Sequence, residues 1–209
     1  MNVICVGLVM LQGARHVHIS SLNKASKECK IPINIVELRT SLELLNQDID
    51  ALIIPGGEST TMRLTGNSPS SLLLPNLLDW IRNNSNIPVL GTCAGAILLA
   101  DPQDGKESLI NASIDRNAYG RQINSFQAEV VTKLFDRTFP GIFIRAPRFH
   151  SDVSAENIIA TCGEEIVGVR KDNKIALTFH PELSGDVAFH RWLIEQAKTV
   201  MEGKNVNQS

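Results

Sequence analysis

Short apolar segments alternate with segments of helical periodicity in the first half of the chain. The apolar segments are of strand length and end at charged residues or at Pro and Gly; they cover residues 3–11, 33–38, 51–54 and 87–90. Such segments between turn signals are typical of buried strands. Helical spacing is weak over 14–30 and clear over 72–81, where Pro75 falls in the first turn. This alternation predicts an α/β fold, with a mostly parallel sheet between two helical layers.

The second half of the chain is richer in strand signals. Strands are predicted at 129–132, 142–144, 158–161, 166–170 and 175–179, and a hairpin turn at 171–174. A closing helix is predicted over 186–201, followed by a polar tail that we expect to fray. No repeat or linker divides the chain. We therefore expect a single domain over 1–202 and a polar tail over 203–209.

Composition narrows the functional classes. The chain has 209 residues, 43% of them hydrophobic, and its 20 Lys and Arg against 22 Asp and Glu give a net charge of −2. A general nucleic-acid binder would show a basic excess, and a disordered chain would be less apolar. No apolar run approaches the roughly 20 residues of a membrane span, and the N-terminus lacks the basic region of a signal peptide.

The four cysteines, at positions 5, 29, 93 and 162, lie far apart in the sequence. None has C-x-x-C spacing, so no zinc or dithiol redox motif is present. Scattered free thiols in a chain of this size indicate a reducing compartment, and we expect a cytoplasmic protein. The sequence gives no sign of a bound metal or organic cofactor.

One cysteine stands in a pattern of its own. Gly91-Thr92-Cys93-Ala94-Gly95 follows the strand at 87–90 and precedes a helix-prone segment. This is the G-x-nucleophile-x-G arrangement, with cysteine in place of serine. A helix N-terminus beside the sulfur would favour the reactive thiolate. Taken alone, the pattern also fits a buried core cysteine.

A candidate base for this thiol ends the last predicted strand. In Phe179-His180-Pro181-Glu182, the histidine and the glutamate are two residues apart, so they would face the same way on an extended segment. A carboxylate on the far imidazole nitrogen fixes the tautomer and stabilises the imidazolium. Cys93, His180 and Glu182 would then form a triad. The alternative is a surface histidine at a strand end, and the other four histidines are interpreted as structural or solvent-facing.

A glycine-rich turn follows the third predicted strand, in Pro55-Gly56-Gly57-Glu58-Ser59. Its backbone N–H groups could face an anion or a developing oxyanion. It is not a P-loop, because G-x-x-x-x-G-K-[ST] is absent. The alternative is a simple strand–turn–helix junction in which Ser59 caps the helix.

Three motifs in this order, P-G-G-E-S-T from Pro55, G-T-C-A-G from Gly91 and F-H-P-E-L from Phe179, resemble the class I glutamine amidotransferases. Further segments narrow the resemblance: L-Q-G-A from Leu11 with His18, R-N-A-Y-G-R-Q from Arg116, and F-I-R-A-P from Phe143. They resemble the PdxT/SNO family, the glutaminase subunits of pyridoxal 5′-phosphate synthase. The resemblance covers nearly the whole chain, although the segment 101–113 is shorter than the family pattern.

The resemblance implies a three-layer α/β/α fold and a role for each matching residue. Cys93 would attack the side-chain amide of glutamine, with His180 and Glu182 completing the triad. Gly57 and Ala94 would form the oxyanion hole. The implied substrate contacts are Gly57, Glu58, Ser59, Arg116, Ile144 and Arg145. The implied partner is a multimeric synthase subunit of the TIM-barrel type, and pyridoxal phosphate would be a product of the complex and not a cofactor of this chain.

Other functions remain open from the sequence. A different amidotransferase would lack R-N-A-Y-G-R-Q, and a catalytically silent binding module would have no physical need for an intact Cys93, His180 and Glu182. A cysteine peptidase or thiol stress protein of similar fold would lack the glycine turn and the glutamine-contact motifs.

Overall fold

A computed structural model describes residues 3–13, 15–116 and 125–206. Eleven strands lie within these ranges: β1 Ile4–Val9, β2 Ile33–Leu38, β3 Ala51–Ile54, β4 Val89–Thr92, β5 Ile114–Asp115, β6 Phe126–Thr132, β7 Phe139–Phe143, β8 Arg148–Phe149, β9 Ile158–Cys162, β10 Glu165–Lys171 and β11 Lys174–Leu177. The helices there are α1 Arg15–Cys29, α2 Ser41–Leu45, α3 Ser59–Gly66, α4 Leu73–Asn83, α5 Ala94–Ala100 and α6 Ala188–Val206, with a 3₁₀ turn at Pro181–Leu183.

Nine of these strands form one sheet, in the order β2-β1-β3-β4-β11-β10-β9-β6-β7. The first five strands pair in parallel, and the remaining four extend the sheet with antiparallel pairings. β5 and β8 form a separate two-stranded pair. The carboxyl ends of β1, β3, β4 and β11 therefore meet at one edge, which is where parallel α/β sheets bind ligands.

Each face of the sheet packs against its own helical layer. Ile4, Val6 and Leu8 of β1 belong to the core with α1 and α6, whereas Val9 belongs to the core with α2, α3, α4 and α5. β3 divides its residues between the two cores in the same alternating way, because successive side chains point to opposite faces of a strand. The predicted three-layer α/β/α fold is confirmed. Within the described ranges, no helix is long and apolar enough to cross a membrane.

The predicted closing helix is too short. α6 continues through residue 206 and so includes the first four residues of the segment expected to be a polar tail. The polar composition of this segment made it resemble a tail.

Candidate active site

The predicted strand-to-helix turn at the cysteine is confirmed. Cys93 lies between the end of β4 and the start of α5, with φ 49° and ψ −107°. Its N–H donates to the carbonyl oxygen of Leu177 in β11 at 2.8 Å. A positive φ is strained for a residue with a Cβ, and such strain is typical of a nucleophile held at a sharp turn. The Ala94 N–H belongs to the first turn of α5, where no intrahelical acceptor is available.

After Cys93 the chain passes very close to a neighbouring strand, and this approach is possible only because residue 95 is a glycine. A Cβ added to Gly95 would lie 2.0 Å from the carbonyl oxygen of Ile54, a backbone atom of β3. Neither α5 nor β3 can move away easily, since both are buried. Gly95 therefore sets the distance between α5 and the sheet, and with it the position of Cys93.

Gly95→Ala is expected to lower the free energy of unfolding by about 3 kcal/mol or more, as backbone overpacking does. Urea denaturation of the purified variants measures this. Gly203→Ala is the matched control: Gly203 lies in α6 with nothing within 4 Å of its added Cβ. The control should be neutral or slightly more stable. Equal stability of the two variants would contradict the close-packing argument.

His180 and Glu182 form a close pair beside the cysteine. His180 Nδ1 lies 2.8 Å from Glu182 Oε1, and the glutamate side chain is 2% exposed. The sequence predicted this pair on an extended segment, but that reason is wrong. β11 ends at Leu177, and Glu182 lies in the 3₁₀ turn that follows His180. The turn folds the carboxylate back onto the imidazole.

The charges of this group favour an imidazolium. Burial opposes a charge on His180, but hydrogen bonds to Cys93 and Glu182 outweigh it and raise the pKa of His180 to about 10. Burial likewise opposes the charge on Glu182, yet the hydrogen bond from His180 and the nearby histidines hold its pKa below the ordinary value. Since Nδ1 faces Glu182, Nε2 is left for the thiol.

The glycine turn leads into α3 and is tied to the segment after β1. Glu58, not Ser59, caps the helix: its carboxylate accepts from the N–H groups of Thr60 and Thr61 at 2.9 and 2.7 Å. These bonds lower the pKa of Glu58 to about 2. The Glu58 N–H donates to Gln12 Oε1 at 2.6 Å. The side chain of Gln12 thus fixes the orientation of the turn.

A cavity of about 1130 Å³ opens over Cys93 and His180. The structure brings all six residues of the implied substrate contacts to its wall, together with Gln12, Gly13, Thr60, Ile97 and Ser125. Glu182 lies behind His180 and Ala94 behind Cys93. Arg116 and Arg145 supply the positive charges of this wall, which suits an acidic ligand. Residue 14 and residues 117–122 of the two resemblance segments lie outside the described residues.

The short segment 101–113 is held by two arginines from the helices beside it. Arg63 of α3 donates to the carbonyl oxygens of Asp101 and Pro102, and Arg82 of α4 makes a bidentate pair with Asp104 at 2.7 and 3.1 Å. The Asp101 carboxylate lies 4.0 Å from Arg116. The segment therefore connects α3 to one of the two cavity arginines.

One residue near the site was given too small a role by the sequence. His18 was interpreted as having no carboxylate comparable to that of His180, but its Nε2 lies 3.5 Å from Glu182 Oε1, and the side chain is fully buried. The available signal was the L-Q-G-x-x-x-x-H spacing, which places a histidine one turn into α1.

Comparison with known proteins agrees with this geometry. Curated relatives named pyridoxal 5′-phosphate synthase subunit PdxT include those of Thermococcus gammatolerans, 39% identical over 92% of this chain and 98% of the relative, and Dehalococcoides mccartyi, 38% identical over 93% and 97%. A solved structure described as a glutamine amidotransferase superposes with a TM-score of 0.72 at 33% identity, covering 92% of this chain and 98% of that one. The SNO glutamine amidotransferase family matches residues 8–199. The protein that carries Cys93, the glycine turn and His180 therefore belongs to the SNO glutamine amidotransferase family.

Proposed function

We propose that this chain is the glutaminase subunit of a pyridoxal 5′-phosphate synthase, hydrolysing L-glutamine to L-glutamate and ammonia. The observation that carries the proposal is the strained Cys93 on the same cavity wall as a His180 that is itself paired with Glu182, together with two arginines. The names of the relatives indicate the pathway.

In the first half-reaction, the Cys93 thiolate attacks the carboxamide carbon of glutamine. The Ala94 and Gly57 N–H groups stabilise the negative charge that develops on the carbonyl oxygen. The His180 imidazolium gives its proton to the leaving nitrogen, so ammonia departs and a thioester to Cys93 remains.

In the second half-reaction, the now neutral His180 takes a proton from water, which attacks the thioester carbon. The C–S bond breaks, glutamate leaves, and the thiolate–imidazolium pair is restored. Glu182 stabilises the imidazolium in both halves without itself becoming protonated. One glutamine and one water are consumed for each glutamate and ammonia released.

The substrate contacts follow from the wall of the cavity. Arg116 and Arg145 are the cationic side chains there among the described residues, and a planar guanidinium pairs well with the α-carboxylate of glutamine. Gly57, Glu58, Ser59 and Ile144 complete the contacts around the side-chain amide.

The ammonia requires a partner close by. Free ammonia is protonated in water and loses its nucleophilicity, so a glutaminase of this kind delivers it directly to an acceptor. We assign that acceptor to a multimeric, TIM-barrel synthase subunit. The docking surface includes four exposed residues after β1, at the same sheet edge as Cys93: Gln12, Gly13, Arg15 and His16. His18 follows in the same segment, but it is fully buried and is not available for docking.

The glycine turn is a suitable switch for that partner. Rotation of one peptide at Gly56-Gly57 would turn an oxyanion-hole N–H toward or away from the substrate, at little steric cost to glycine. Gln12 holds the next peptide through the Glu58 N–H and lies on the docking surface. A docked partner that moves Gln12 therefore changes the oxyanion hole without disturbing the triad.

Glutamine turnover is expected to rise at least about 10-fold when the synthase subunit is added, largely through kcat, because one oxyanion donor is worth about 10²–10³ in rate. Ammonia release is measured for the isolated chain and for the complex, with Cys93→Ala as the background. Equal turnover would contradict the switch. Absence of ammonia in both samples would contradict the glutaminase and favour a silent binding module.

A further inference from the structure

A line of buried polar side chains continues beyond Glu182, away from the substrate cavity. His18 of α1 and His190 of α6 are both 0% exposed. His18 Nδ1 lies 3.1 Å from His190 Nε2, and His18 Nε2 lies 3.5 Å from Glu182 Oε1. The two helices that cover this face of the sheet thus each bring one imidazole to the back of the carboxylate.

The Glu182 carboxylate is short of donors. Among the described residues, His180 is the only side chain that donates a hydrogen bond to the carboxylate, and Glu182 Oε2, His18 Nε2 and His190 Nδ1 have no hydrogen-bond partner. A buried carboxylate with too few donors is costly. The ring nitrogen of His18 is the nearby group that can supply a second N–H, through a small shift that shortens the 3.5 Å contact.

Only one tautomer arrangement places a proton in both contacts. If His18 Nδ1 donated to His190, neutral His18 would turn a lone pair on Nε2 toward the carboxylate. If His190 Nε2–H donates to His18 Nδ1 instead, His18 carries its proton on Nε2 and faces Glu182 with an N–H. The second arrangement avoids repulsion between two acceptors.

Both imidazoles are held neutral. Burial lowers the pKa of His18, opposed by Glu182 and assisted by His180. Burial also lowers the pKa of His190 to about 3, assisted by His18 and opposed by Glu182. The titratable groups that face these two imidazoles are therefore Glu182 and His180, at the 3₁₀ turn. Cys93, at the start of α5, lies next to His180. His18 therefore acts as a neutral donor and not as a second cation.

We propose that His18 is a positioning residue of the glutaminase reaction, whose Nε2–H, set by His190, holds the Glu182 carboxylate in line with His180. This inference rests on the proposed function for its kinetic effect, although the contact itself does not. Without the second donor, the carboxylate can turn away from His180, and a neutral carboxyl group becomes easier to form.

The test compares His18→Met, which keeps an unbranched side chain without a donor, with His18→Gln, whose amide can place an N–H near the Nε2 position. In the complex with the synthase subunit, His18→Met should lower kcat about 10-fold, as loss of an outer orienting partner does, with KM within about 2-fold. The acidic limb of its pH profile should move to higher pH by about 0.5 unit or more, because Glu182 protonates more readily. His18→Gln should recover most of both effects. The control is His150→Met, at an exposed histidine outside the cavity wall.

Nitrogen-15 NMR of the histidines in the unsubstituted protein tests the contact without activity. It should show neutral His18 with its proton on Nε2. A proton on Nδ1, or a folded His18→Met with unchanged kcat and pH profile, would overturn the inference. If His18→Met does not fold, the inference is judged by the His18 tautomer from NMR and by the kcat and pH profile of His18→Gln. An inactive unsubstituted complex would reject the proposed function, whereas the tautomer measurement would still judge the His18–Glu182 contact.

Discussion

Cys93→Ala is expected to abolish glutamine hydrolysis by the complex, lowering kcat by about 10⁴-fold or more, as removal of a catalytic nucleophile does. The expected loss has a chemical reason: among the described residues of the cavity wall, Cys93 supplies the only thiol that could form the thioester. The fold should survive, since the substitution removes one sulfur atom from a small side chain. Ammonia release and the circular dichroism spectrum, measured on the same preparation, separate the two effects.

A glutamine analogue with an electrophilic side chain should label Cys93 and spare the other three cysteines. Cys5 and Cys162 serve as internal controls: burial, together with Asp50 beside one and Glu165 beside the other, raises the pKa of each thiol and disfavours the thiolate. Mass spectrometry of tryptic peptides locates the label. Labelling of another cysteine, or full turnover by Cys93→Ala, would refute the assigned nucleophile.

His180→Asn is expected to lower kcat/KM by several orders of magnitude, about 10³–10⁴-fold, because both proton transfers of the reaction pass through this imidazole. Glu182→Gln should lose less, since it keeps the shape of the side chain and removes only the charge that orients and stabilises His180. Steady-state ammonia release in the complex measures both variants.

Thermal unfolding of the two variants provides the control, because a folded but inactive protein is required. Normal turnover by His180→Asn would show that another group is the base. A larger loss for Glu182→Gln than for His180→Asn would mean that the carboxylate does more than orient the imidazole.

The parallel part of the fold was predictable because its strands are short, apolar and ended by turn residues. The predicted bounds of β2 and β3 match those in the structure. The antiparallel part was harder. The sequence predicted a strand at 142–144, whereas β7 begins at Phe139 and includes Pro140. It lies at the edge of the sheet, where a proline is tolerated because one row of N–H groups has no strand to pair with.

The candidate site likewise has a part that the sequence predicts and a part that it does not. The elbow at Cys93 and the turn at Gly57 are local features, and their residue types determine them. The pairing of His180 with Glu182 was predicted on an extended strand, but a 3₁₀ turn brings the two side chains together. Both conformations can place residues two positions apart side by side, so the sequence did not distinguish them. The approach of His18 to Glu182 depends on how α1 packs against α6 and the 3₁₀ turn, and the weak apolar stripe of α1 does not indicate it.

The central place of β11 sets an order of events during synthesis. β11 lies between β4 and β10, and it comes from the last quarter of the chain. A nascent chain that ends before residue 174 leaves β4 with an open edge beside Cys93. It has neither the acceptor at Leu177 for the Cys93 N–H nor His180, the proposed base. Such long-range parallel pairing also slows folding. The proposed nucleophile therefore gains its proposed base only when the sheet closes, so we expect incomplete or stalled chains to carry the cysteine without the means to consume glutamine.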